Sequence, residues 1–144
     1  MDGDGSRWIR PRENTVDALV YGMNECDGVE LDLRLSKDNR LVLHHDSKTE
    51  YGDYPECLTL DELPDYVEPI EDLLEQKDFI RRWTEEGAFT CFEFKSPHPS
   101  SGKAGGWFNA KEREKHMMKM IEELNEILDP IDFSESSTVI YSFE

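Results

Sequence analysis

Between Asn14 and His44 the apolar positions change their spacing twice. Val16, Leu19, Val20 and Met23 follow a helical repeat, which predicts a helix to about Glu25 capped by Asn14 or Thr15. From Val29 the repeat becomes two. Val29, Leu31, Leu33 and Leu35 alternate with Glu30, Asp32 and Arg34, the pattern of a strand with one apolar and one polar face. Lys37-Asp38-Asn39 suits a turn, and Leu41 to His44 reads as a second strand. The link between these strands is too short for a parallel crossover, so its length predicts an antiparallel hairpin.

Farther along, Tyr51 to Tyr66 reads as a loop with short helical turns, one of them a small capping box of Thr59 with Glu62. Pro69 precedes a helix predicted from Ile70 to about Glu86, which Gly87 can end. Ala88 to Phe94 is a third strand, and Lys95 to Trp107 a loop rich in Ser, Gly and Pro. Asn109 to Leu128 reads as a long helix with Met117, Met120, Ile121, Leu124 and Leu128 as its core stripe. Ser137 to Phe143 is a fourth strand. Helices alternating with strands predict a mostly parallel α/β fold in a single domain over residues 1–144. The chain stops directly after an apolar strand, which reads as a domain cut short. Its 144 residues also fall below the roughly 250 of a closed eight-stranded barrel.

Charge narrows the function. The formal net charge is -17, from 33 acidic and 16 basic residues. That argues against holding a nucleic-acid backbone and against an anionic membrane surface. Glu50 to Gln76 holds ten acidic residues and no basic one, which predicts a solvated face or the rim of a metal-dependent cleft. Cys26, Cys57 and Cys91 show no metal-ligand spacing, and their odd number argues against a full disulfide framework. Cys91 lies in an apolar run and reads as a buried thiol. With no apolar leader and no membrane span in the sequence, the expected location is cytoplasmic.

The candidate chemistry gathers at strand ends. Glu30 and Asp32 share one strand face, and two carboxylates so close call for a cation or a proton between them. Glu93, near the end of the third strand, can add a further oxygen ligand. Such a set suits Mg²⁺ or Ca²⁺. The same spacing also fits solvent-facing acids in an acidic protein. His45 sits where α/β sites collect and can protonate a leaving alkoxide, with Asp46 beside it to orient the ring or the loop. Lys95, two residues past Glu93, can hold a phosphoryl oxygen. His44 is expected to face away, His98 lies in a Ser/Pro loop, and His116 reads as a solvated helix residue. Gly102, Gly105 and Gly106 lack phosphate-loop spacing, while Trp107 and Phe108 fit either a substrate shield or core packing.

Taken in order, these residues resemble the glycerophosphodiester phosphodiesterase family. Glu13-Asn14-Thr15 matches its early signature, Glu30-Leu31-Asp32 its acidic strand, and Leu43 to Asp46 its strand ending in His-Asp. Glu93-Phe94-Lys95 matches a later E-x-K strand, and Ile140 to Phe143 an apolar strand ending in Ser-Phe. The resemblance implies a TIM-type (β/α) barrel, here partial and incomplete at both ends, in which the E-x-D and His-Asp strands are parallel neighbours. It implies metal-dependent hydrolysis of a glycerophosphodiester to an alcohol and glycerol 3-phosphate. Under it Glu30, Asp32 and Glu93 are metal ligands, His45 is the general acid, Lys95 contacts phosphate or the site carboxylates, and Glu13 meets the substrate head group.

The match departs from the family at the start, where a His-Arg-Gly strand is expected. No histidine precedes His44, Gly3 or Gly5 stands where the glycine belongs, and Arg7, Arg10 or Arg12 is the available phosphate contact. The later strands of the eight-stranded barrel are not represented either. Three other readings remain open: an inactive barrel fragment that binds or regulates, a sphingomyelinase D-like phospholipase, and a transferase-like cyclisation of the diester. Exposed barrel edges also make self-association an expectation.

Overall fold

A computed structural model describes residues 9–101 and 109–143. Gly3, Gly5, Arg7, Gly102, Gly105, Gly106, Trp107 and Phe108 lie outside the described residues. The order is α1 (Val16–Glu25), β1 (Gly28–Leu35), β2 (Leu41–Leu43), α2 (Ile70–Leu74), α3 (Lys77–Thr84), β3 (Phe89–Phe94), α4 (Ala110–Leu128) and β4 (Thr138–Tyr141). Two 3₁₀ turns, Pro55–Cys57 and Leu60–Glu62, fall in the loop after β2. Thr15 is the cap of α1, accepting a hydrogen bond from the Ala18 amide. Asn109 and Glu112 form a capping box on α4.

One four-stranded sheet runs β2-β1-β3-β4. β1, β3 and β4 are parallel, and their helices follow the α/β pattern. β2 pairs antiparallel with the last part of β1, Leu33 opposite Leu43 and Leu35 opposite Leu41. This corrects the parallel pairing implied by the family resemblance and agrees with the length of the link. Asn39 adopts the left-handed region at φ 61°, closing a tight turn that only an antiparallel pair can use. The sheet does not close, so the fold is a TIM-type α/β barrel present in part.

The predicted helix over Ile70 to Glu86 is two helices. Ile70 and Phe79 lie nine residues apart, about two and a half turns of a continuous helix, so they would face opposite sides. Gln76 breaks the chain in an extended conformation at ψ 106°, and the break turns both residues inward. Ile70, Leu73, Phe79 and Trp83 are all fully buried. They join Leu31, Leu33, Phe92, Met23, Met120 and Leu124 in one core on the apolar side of the sheet. Trp83 packs edge-on to Phe92 and stacked on Phe133, and its ring N–H donates to Thr138 Oγ1 at 2.9 Å. Ile121 departs from the predicted stripe of α4 and is exposed, as are Val139 and Ile140 on β4. Cys91 is half-buried rather than buried, and all three thiols are free. Among the described residues no helix is long and apolar enough to cross a membrane.

Candidate active site

Strand register assembles the site. Asp32 on β1 is the direct partner of Glu93 on β3, and Glu93 is the partner of Tyr141 on β4. In-register parallel partners present their side chains to the same face. Glu30, two residues before Asp32, shares that face. One oxygen each from Glu30, Asp32 and Glu93 lies within 4.8 Å of the others, an arrangement that could hold a metal ion. Lys95 Nζ stands 2.9 Å from Glu93 Oε1 and 3.8 Å from Asp32 Oδ1. Tyr141 donates its hydroxyl to Glu30 Oε1 at 3.4 Å.

Crowding of acids sets their protonation. Burial, followed by the shared proton and charge of Asp32 and then of Glu93, pushes the Glu30 carboxyl up to about 7. Burial also pushes Asp32 upward, but hydrogen bonding with Glu93, Asn14 and Glu30 and the charge of Lys95 together hold it below its ordinary value. Tyr141 is raised to about 12, by burial and then by the charges of Glu30 and Glu93.

Asn14 is a site residue that the sequence showed only as a cap candidate. Its backbone takes the left-handed region at φ 53°, leaving the capping role to Thr15. Its side-chain amide donates to Asp32 Oδ2 at 2.7 Å and its oxygen accepts the Asp32 amide at 3.0 Å. Asn14 also lines a cavity with Glu13, His44 and His45, so it touches both the acid cluster and that cavity.

His45 is exposed, and its Nδ1 lies 2.9 Å from Asp46 Oδ1. That contact fixes the ring and draws the Asp46 carboxyl below its usual range. His44 also lines the cavity rather than facing away. Its Nε2 meets the Lys48 carbonyl at 3.0 Å, and burial lowers its pKa. Arg12 shares the cavity, paired with Glu50 and lying 3.6 Å over the Tyr66 ring. His98 stacks on Tyr54. His116 is half-buried rather than solvated, and burial with the charge of Arg34 lowers it to about 4.

Thus Glu30, Asp32, Glu93 and Lys95 meet at one centre, and Glu13 and His45 line a neighbouring cavity reached through Asn14. Tyr141, whose hydroxyl meets Glu30, was also missed, as was Arg34, which bonds the His45 carbonyl beside the cavity. The period of β1 places Arg34 on the face of Glu30 and Asp32, a usable signal. Tyr141 lies 111 residues from Glu30 and carried none beyond its place in the last strand.

An unclosed α/β sheet with a carboxylate triad and a lysine on its polar face places this chain among the barrel domains that build acidic centres near the ends of parallel strands. The chain belongs to the glycerophosphoryl diester phosphodiesterase family, which residues 3–143 match. Its fold is similar to the glycerophosphodiester phosphodiesterase of Thermotoga maritima at 20% identity and a TM-score of 0.60, over 92% of this chain and 48% of that one. It is similar to the enzyme of that name from Parabacteroides distasonis at 19% identity and a TM-score of 0.65, over 96% and 52%. The one from Agrobacterium tumefaciens matches at 16% identity and a TM-score of 0.59, over 92% and 52%. The chain therefore spans about half the length of these structures. No curated protein matches it.

Proposed function

We propose that the chain carries a metal-dependent phosphodiesterase site acting on glycerophosphodiesters, with an alcohol and glycerol 3-phosphate as products. Asp32 carries the reading. Its side chain is buried, and Oδ1 accepts no hydrogen bond from the described residues, with Lys95 Nζ an ion-pair contact at 3.8 Å. With Glu30 and Glu93, Asp32 makes a set of three carboxylates, an all-oxygen donor set that fits a hard dication, Mg²⁺ or Ca²⁺. Such an ion, held by Glu30, Asp32 and Glu93, supplies positive charge to offset that of the phosphodiester.

The chain's own groups divide the remaining work. Lys95, already drawn toward the acids, offers its ammonium to a phosphoryl oxygen. A water oxygen adds to phosphorus, giving up a proton to solvent, as the bond from phosphorus to the alcohol oxygen breaks. His45, its ring oriented by Asp46, gives that departing oxygen a proton. Glu13, in the same cavity as His45, meets the substrate head group.

A second reading is a binding or regulatory module with the same acidic centre and little turnover. It is favoured by one observation: His44, the other histidine of the cavity, is half-buried with Nε2 against the Lys48 carbonyl, so of the two only His45 faces solvent to move a proton. The test is release of glycerol 3-phosphate from glycerophosphocholine with Mg²⁺ or Ca²⁺, using Glu30→Ala as control. Metal-dependent release lost in the control supports hydrolysis. Metal binding by a folded chain without release supports the second reading, and no metal binding sinks both.

A further inference from the structure

Arg34 shares the polar face of β1 with Glu30 and Asp32, but its guanidinium bonds to the loops beyond that face. Its side chain is only 5% exposed and is paired at 3.3 Å with Glu56, whose side chain is 1% exposed. Nη2 donates to the His45 carbonyl at 2.8 Å. Nη1 reaches the Ser96 carbonyl at 3.3 Å as well as Glu56. One guanidinium therefore joins the loop leaving β2, the loop leaving β3 and the 3₁₀ turn over Pro55–Cys57.

Stability alone is a poor reason for such a pair, since apolar side chains of similar volume often replace a buried ion pair without loss. A planar fork of donors that fixes several acceptors at once is what arginine does and lysine does not. The two carbonyls it holds belong to His45 and to the residue after Lys95. We propose that Arg34 is a positioning residue: through the His45 carbonyl it sets where the imidazole stands relative to the acid centre and Lys95. This rests on the function proposed above, in which His45 is the general acid.

The test compares two substrates on the full chain. Glycerophosphocholine has an alkyl leaving group that needs a proton, whereas bis(p-nitrophenyl) phosphate has one that does not. The variant is Arg34→Met with Glu56→Leu, which removes both charges together so that neither is left buried alone. General acids contribute about 10²–10⁴-fold, so kcat on glycerophosphocholine should fall at least about tenfold, with little change in KM. On the activated diester the loss should stay below about threefold, because protonation no longer limits the rate. Adding His45→Ala should cost no more than His45→Ala alone. Equal losses on both substrates, or additive losses, overturn the proposal.

A second readout needs no turnover. Mn²⁺ bound at the acid centre should broaden the His45 ring resonance in the wild-type chain, and the paired variant should weaken that broadening. Unchanged broadening in the variant overturns the role of Arg34, and so does a wild-type His45 signal that Mn²⁺ leaves untouched. A wild-type chain that hydrolyses neither substrate sinks the proposed activity, while the resonance still decides the placement by Arg34.

Discussion

A proton on Glu30 and a metal at the acid centre would compete for the same carboxylate oxygens, so acid should expel the metal with a predictable slope. The Glu30 carboxyl is raised from 4.5 to about 7, by burial first and by Asp32 and Glu93 next. Asp32 is held low, so it is ionised across the neutral range. Metal binding below about pH 7 therefore displaces one proton, chiefly from Glu30. One displaced proton lowers apparent affinity about tenfold per pH unit below 7 and leaves it flat above, about a hundredfold between pH 8 and pH 5. Mn²⁺ titration followed by electron paramagnetic resonance at fixed ionic strength measures the slope. Calorimetry in two buffers of different ionisation enthalpy counts the proton. Glu30→Gln should weaken binding at pH 8 and flatten the slope. A wild-type affinity that ignores pH over this range, or a slope that survives in Glu30→Gln, refutes the reasoning. The metal-free protein carries the opposite sign. Its folded state holds the Glu30 proton more tightly than the unfolded state does. Stability is therefore unaffected below about 4.5, falls as pH rises to about 7, and is level beyond. At about 1.4 kcal/mol per pH unit the ceiling is about 3 kcal/mol, and solvent screening of this exposed group reduces it to about 1 kcal/mol.

His45→Ala should cut any turnover of glycerophosphocholine about 10²–10⁴-fold while leaving the urea midpoint in place, because the ring is exposed and its side chain is bonded to Asp46. Gly28→Ala should destabilise by about 1–3 kcal/mol in urea unfolding, since a Cβ there would stand 2.4 Å from the Phe89 carbonyl oxygen; an unchanged midpoint would show that the β1–β3 pair can spread. Trp83→Ala should cost about 3–5 kcal/mol, as the ring is fully buried against Phe79, Phe92 and Phe133. A loss below about 1 kcal/mol would mean that the core collapses into the space.

What could be read from the sequence was local. The alternation through Val29 to Leu35 gave β1 and the shared face of Glu30 and Asp32. The short turn at Lys37 to Asn39 gave the hairpin, and there the local signal was right where the family resemblance pointed to parallel strands. The break at Gln76 was hidden because Ile70, Leu73, Phe79 and Trp83 are all apolar, and only their angular positions reveal that one helix cannot bury them together. The E-x-D and E-x-K patterns singled out Glu93 and Lys95, but the register that sets Asp32 beside Glu93 is a tertiary fact. Asn14 looked like a cap because asparagine serves there and in left-handed turns alike. Arg34 and Glu56, 22 residues apart, looked like ordinary surface charges in a strand and an acidic run.

The sheet grows outward from β1 in the order in which the ribosome delivers it. α1, β1 and β2 close over short stretches of chain, β3 then finds the free edge of β1, and β4 finds the free edge of β3. No strand must separate an earlier pair to enter, so the nascent chain can fold as it emerges. Glu30 and Asp32 arrive with the first unit and Glu93 and Lys95 with the third strand. Capture of a metal would therefore mark the moment at which β3 docks during synthesis.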